Sequence, residues 1–315
     1  MASPWTAPAW MKDSGSLNGG WLKAEDYGAY AAYFVKYLQG YRDQGIDVSY
    51  VTAQNEPTCC SGYPSMSWNA SGLAYFTKSE LLPRLQAAGL STKVLAHDWN
   101  WDVYDAYAAQ TVDDPAVRDH PNFGGIAWHG YGATSPSRRP CTTGTRRWTL
   151  GTEHSGGTWI ADQQREDMGD IIDYTRNWAK SVTKWSLAVD QNMGPHNGGC
   201  GTCTGLVTVH DGDGASGTVD YTVEYYDMGH LTKFVRPGAS GSPRRRPPPC
   251  RTSRGATRTA ARPSSPTTAP PRRARSPSTG VRSTPPTRCP AGPRPPSPGP
   301  ARSPAVAAGA ARSPD

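Results

Sequence analysis

Residues 239–315 contain no lysine, no phenylalanine, tryptophan or tyrosine, and a single acidic side chain, Asp315. Fifteen arginines give this stretch a formal charge of +14, and 19 of its residues are proline. With so few apolar side chains it cannot offset the entropy of ordering, and it is predicted to be disordered. The 315-residue chain has no run near the roughly 20 apolar residues of a membrane-spanning helix. Its first residues, "MASPWTAPAWMK", lack the basic and apolar regions of a secretory signal. The overall charge of +7 hides a division: residues 1–238 carry 18 basic and 25 acidic side chains, or −7, and hold all 11 tryptophans. The basic pI of about 9.0 therefore belongs to the arginine-rich stretch and says little about ligands of the rest.

Residues 1–238 alternate strand-like and helix-like segments. "DVSYVTAQNE" (47–56), "TKVLAHDWNW" (92–101), "FGGIAWHGYG" (123–132) and "TKWSLAVDQN" (183–192) are apolar runs that end in polar residues. Helical patterns lie between them at 24–45, 71–89 and 162–182, the first two ending at Gly45 and Gly89. In the third, Met168, Ile171, Ile172 and Trp178 are predicted to share a face. This alternation predicts an α/β fold with a parallel sheet or a (β/α) barrel. In such barrels the chemistry sits at the carboxyl ends of the strands. Each predicted strand end here carries polar or aromatic residues: Asn55 and Glu56; Asp98 and Trp101; His129 and Tyr131; Glu153; Trp185.

Two carboxylates at strand ends, Glu56 and Glu153, suit glycoside hydrolysis. A retaining mechanism needs one as nucleophile and one as acid/base, roughly 5–5.5 Å apart. Either could instead be a solvated surface charge, and His129 could be a satisfied buried histidine. Six ordered motifs extend the pattern: "ASPWTAPAWMK" (2–12), "VTAQNEP" (51–57), "IAWHGYG" (126–132), "TEHSGG" (152–157), "WSLAVDQNMGPHNGG" (185–199) and "YYDMGHLTKFVRPGA" (225–239). Together they resemble glycoside hydrolase family 30, the family of glucosylceramidases and endo-β-1,6-glucanases.

The resemblance implies a (β/α)8 TIM barrel with a C-terminal β-sandwich. It covers residues 1–132 and 151–239. It implies Glu56 as acid/base with a raised pKa, and Glu153 as the ionised nucleophile. It implies Asn55 as the ligand of the sugar 2-hydroxyl and Trp10 and Trp185 as subsite walls. His129, Tyr131, Asp98 and Trp101 would line the rim. No metal or cofactor is implied. The expected partner is a β-glycoside or glucan, with no nucleic acid and no membrane span, and the parent is expected to be monomeric and secreted. Cys59, Cys60, Cys200 and Cys203 read either as two disulfides between loops or as a four-thiolate zinc site.

Against the family pattern, the chain begins near the third barrel strand, so the barrel is expected to be incomplete. The arginine- and proline-rich runs at 133–150 and from about Ser240 read as translation in a shifted frame. Synonymous codons exist for which a one-nucleotide shift restores a helix and strand approach in the first run. In the second, the shift restores a strand and an Asn-Pro-Asp-Gly turn. The organisation expected is thus a partial barrel domain at 1–238 and a disordered tail at 239–315. The function expected is retaining β-glycosidase chemistry, impaired in this chain. A non-catalytic carbohydrate-binding remnant and a polyanion-binding basic tail are the alternatives from other classes.

Overall fold

Four parallel strands form the centre of the fold: β1 (Tyr50–Thr52), β2 (Lys93–Asn100), β3 (Phe123–His129) and β4 (Trp148–Glu153), hydrogen-bonded in that order. The computed structural model describes residues 1–59, 62–131, 148–212, 214 and 217–240. The sequence readings of 133–147 and 241–315, and of Cys60, lie outside these. Single bridges continue the sheet at both edges. Ala2 pairs in parallel with Val51, while Ala179 and Trp185 pair with Thr149 and Ser155 beyond β4. The described strands therefore make an open parallel arc, part of a barrel. No described helix is long and apolar enough to cross a membrane.

The helices cover the outer face of the arc. In α1 (Tyr27–Asp43), Tyr30, Ala31, Phe34 and Leu38 recur at near-helical spacing and are buried. The helix stops just before Gly45, whose φ of 78° suits glycine. Next come α2 (Ala70–Tyr75), a π-helical stretch (Phe76–Leu81) and α3 (Leu82–Ala87). The Asn69 side chain caps α2, accepting from the Gly72 amide at 2.6 Å. The widened turn ends two residues before Pro83, which has no amide hydrogen to give to a regular ladder. Phe76 lies against Tyr30, with ring centroids 5.6 Å apart, at the centre of a core running from Ala7 to Phe123. The short helices α4 (Ala109–Val112) and α5 (Pro115–Arg118) lead into β3.

After β4 come α6 (Gln163–Arg176), a small sheet of β5 (Ala188–Val189), β6 (Val207–Val209) and β7 (Val219–Tyr221), and α7 (Val223–Thr232). One sequence expectation changes here. The buried face of α6 is not the apolar set Met168, Ile171, Ile172 and Trp178. It is Asp167, Asp170, Ile171 and Tyr174, while Ile172 and Trp178 are exposed. Two of those buried positions are carboxylates, which can be buried because each is paired: Lys184 Nζ lies 2.6 Å from Asp167 and 2.9 Å from Glu224, and His154 pairs with Asp170. At the approach to Glu153, β4 pairs with β3 from Trp148 onward. The ladder is made by backbone groups, and Leu150 supplies an apolar side chain that packs with Leu95 and Ala127.

Candidate active site

The site forms where β1 to β4 end. Beyond β1 the backbone turns sharply at Glu56, whose φ of 45° is uncommon for a side-chain-bearing residue. Its amide donates to the Asp98 carbonyl at 3.0 Å, so the ends of β1 and β2 are tied together. In β2 the register slips between His97 and Trp99, and both His97 (φ 81°) and Asp98 (φ 55°) are left-handed. The bulge turns the Asp98 side chain inward. Its Oδ1 accepts from Thr152 at 2.8 Å, and its Oδ2 accepts from Thr52 at 2.7 Å and from Ser3.

His129, at the end of β3, is fully buried and links the acids. Its Nε2 donates to Asp98 Oδ1 at 3.2 Å, and its Nδ1 faces Glu56 Oε1 at 3.1 Å and Glu153 Oε1 at 3.9 Å. One ligand atom each from Glu56, His129 and Glu153 lie within 4.8 Å of one another. Tyr131 donates to Glu153 Oε1 at 3.0 Å and exchanges a 2.7 Å hydrogen bond with Ser155. The glycines after Glu153 are dictated by crowding. A Cβ on Gly156 would collide with the Glu224 carboxylate, and one on Gly157 with the Trp159 ring.

Three carboxylates here face one imidazole, and no lysine or arginine among the described residues pairs with them. For His129, burial opposes the charge, but the hydrogen bonds to Asp98 and Glu56 outweigh it and lift the pKa to about 10. Burial likewise works against the Asp98 carboxylate, yet His129 and the two hydroxyls hold it below the usual range. Burial lifts Glu153 to about 7; the His129 cation opposes this, and the negative charges of Glu56 and Asp98 add to it. Tyr63 is pushed up to about 12 by burial and then by Glu56 and Glu153.

The structure sorts the sequence candidates. Glu56, Glu153, His129, Asp98 and Tyr131 converge. His129 and Asp98 lie beneath the two glutamates instead of on the rim, because Ser3, Thr52 and Thr152 draw Asp98 into the sheet. Asn55 is buried beside Glu56 and Trp5 in a small depression that Tyr63 also lines. Trp185 is 39% exposed and packs on Trp5, with centroids 5.0 Å apart. Trp101 packs on Tyr174 of α6 at 4.9 Å. Trp10 is 62% exposed, and no other aromatic ring among the described residues packs against it. Of the two glutamates, the raised carboxyl that stands out is Glu153, lifted first by burial. Cys200 bonds to Cys203 within one loop, so these two offer no thiolate pair for zinc. Cys59 is also disulfide-bonded. Sequence reasoning missed Ser3, Thr52, Thr152 and Ser155, small hydroxyl residues whose only signal was their place beside strand ends.

The description of the "glycosyl hydrolase family 30 TIM-barrel domain" matches residues 1–235. The chain belongs to glycosyl hydrolase family 30. An endo-1,6-beta-D-glucanase of Trichoderma harzianum is 34% identical over 263 residues, covering 76% of this chain and 50% of that protein. The lysosomal acid glucosylceramidase of Mus musculus is 26% identical over 274 residues, again with 76% and 50% covered. A solved endo-beta1,6-glucanase structure superposes with a TM-score of 0.67 at 33% identity, covering 75% of this chain and 55% of that one. The chain spans about half the length of the curated relatives it matches. Family 30 membership accounts for the parallel arc.

Proposed function

We propose that this chain carries the hydrolytic centre of a retaining β-glycosidase acting on a β-linked glucan, with reduced turnover. The observation that carries the reading is the approach of Glu56 and Glu153 to within 4.8 Å across an open strand-end site. That separation fits a retaining pair, at roughly 5–5.5 Å, and leaves no room for the water of an inverting one, at roughly 6.5–9.5 Å. Relatives named endo-1,6-beta-D-glucanase are 34–35% identical and those named glucosylceramidase 26–29%, which favours a β-1,6-linked glucan over glucosylceramide.

In this reading Glu153 attacks the anomeric carbon while Glu56 gives its proton to the departing glycosidic oxygen. Glu56 then takes a proton from water, which releases the sugar from Glu153 with its configuration retained. Asn55 holds the 2-hydroxyl, and the Trp5–Trp185 pair offers an apolar face to the ring. Tyr131, bonded to Glu153, positions the nucleophile. With a pKa of about 7 the nucleophile is about half ionised at neutral pH, so turnover should rise about twofold as pH rises through 7. The disulfide favours an extracellular setting for the parent.

Release of reducing sugar from a β-1,6-glucan and cleavage of a fluorogenic β-glucoside would be followed for the full chain and for Glu153→Gln. Slow turnover with retained configuration, abolished in the variant, is expected. An inverted product, or activity indifferent to Glu153, would defeat the assignment. Turnover in the usual enzyme range of about 1–1,000 per second would defeat only the claim of impairment. Sugar binding with no hydrolysis at any pH would favour a binding remnant.

A further inference from the structure

The same strand ends make a metal site that the sequence motifs do not suggest. We propose that Glu56, His129 and Glu153 bind a zinc-class divalent cation. Each offers one ligand atom, and these atoms lie within 4.8 Å of one another. Two of the separations, 3.1 Å and 3.9 Å from His129 Nδ1, bracket the spacing of neighbouring ligands around tetrahedral zinc. That spacing is roughly 3.3–3.5 Å, given bonds of about 2.0–2.2 Å.

The support behind the ligands fits as well. Metal-binding imidazoles commonly give their second ring N–H to a carboxylate, which fixes the ring and strengthens its basicity. His129 is fully buried and gives Nε2–H to Asp98, itself held by Thr152, Thr52 and Ser3. Nδ1 is the atom turned toward both glutamates. When the metal–nitrogen bond forms, the Nδ1 proton leaves to solvent. The cation then takes the place of that proton among three carboxylates that no lysine or arginine of the described residues neutralises. Two carboxylates and one imidazole suit zinc better than magnesium, which prefers six oxygens.

This inference does not need the chain to hydrolyse anything, so its test reads binding directly. Zinc chloride would be titrated into the full chain by calorimetry, and cobalt(II) would be followed by absorbance. Free cysteines would be alkylated beforehand. One ion per chain is expected, with a cobalt spectrum free of thiolate charge-transfer bands. His129→Ala and Glu153→Gln should each weaken binding at least 100-fold, and Asp98→Asn, acting through His129, by about 10–100-fold. Circular dichroism would show which variants fold, and a folded Glu153→Gln suffices if His129→Ala does not fold. Absence of binding, a thiolate spectrum, or affinity unchanged in a folded variant would each overturn the proposal.

Discussion

The stretch before β4 and the stretch after it bury different things. From Ala7 to Phe123 the buried side chains form one continuous apolar cluster, with Phe76, Leu81, Leu82, Leu85 and Val94 at or near zero exposure. Beyond Leu150, the buried apolar side chains among the described residues are Ile171, Tyr174 and Cys203. The other deeply buried positions there include Asp167, Asp170, Glu224 and Asp227, while Leu187, Tyr226 and Phe234 stand more than 60% exposed. The first part is held by non-directional burial, which tolerates small shifts. The second is held by a few charge pairs, which fail sharply when one partner goes. Glu56 and Asp98 stand on the first part. Glu153 stands on the strand that joins the two, so its position depends on both.

The sharpest break in that comparison is expected at Lys184, which is 3% exposed between two carboxylates. Lys184→Met leaves Asp167 and Glu224 buried without their cation, a loss of about 3–5 kcal/mol. Hydrogen exchange should then rise in α6, α7 and β5–β7 while Tyr30, Phe76 and Leu85 stay protected. Leu85→Ala opens a cavity in the apolar cluster at a cost of about 2–5 kcal/mol, and exchange should rise in α1, α3 and β2 first. If the two substitutions open the same segments, the division is wrong.

Glu153→Gln sharpens the comparison at the junction. The folded chain holds the Glu153 proton more tightly than the unfolded chain, about 7 against 4.5. The stability contributed by the neutral group is complete below about pH 4.5 and is lost as pH rises through about 7. Glutamine keeps the neutral form at every pH. The substitution should therefore change denaturant midpoints little at pH 4.5 and raise stability by up to about 3 kcal/mol at pH 8. An equal effect at both pH values would mean that the ionisation of Glu153 is not strained in the fold. The smallest effect is expected at Asn69→Ala, about 1 kcal/mol from the lost α2 cap, confined to α2 and the stretch after it.

Much of the first part was legible in the sequence because apolar spacing drives it. The helical patterns at 24–45 and 71–89 became α1 and the α2–α3 run, and the apolar runs before Asn55, Trp101 and Tyr131 became β1, β2 and β3. The second part was harder to read. The apolar residues of α6 pointed to the wrong face, because Lys184 and His154, 17 and 16 residues from the carboxylates they meet, decide which side of α6 is buried. At the site, Glu56 and Glu153 were readable from motifs. The depth of Asp98 was not, because it depends on a β2 bulge and on hydroxyls from three separate segments. The raised proton affinity of Glu153 was invisible as well, because it comes first from burial in the folded site.

The central claim, that Glu153 forms a covalent bond with the sugar, can be read directly. The full chain would be incubated at pH 8 with a 2-deoxy-2-fluoro-β-glucoside carrying a good leaving group, then analysed by intact mass and peptide mapping. One added fluoroglucosyl group per chain, on Glu153 and absent from Glu153→Gln, is the result expected. A label on Glu56 or elsewhere, or hydrolysis of glucan with no labelled intermediate under any condition, would contradict it.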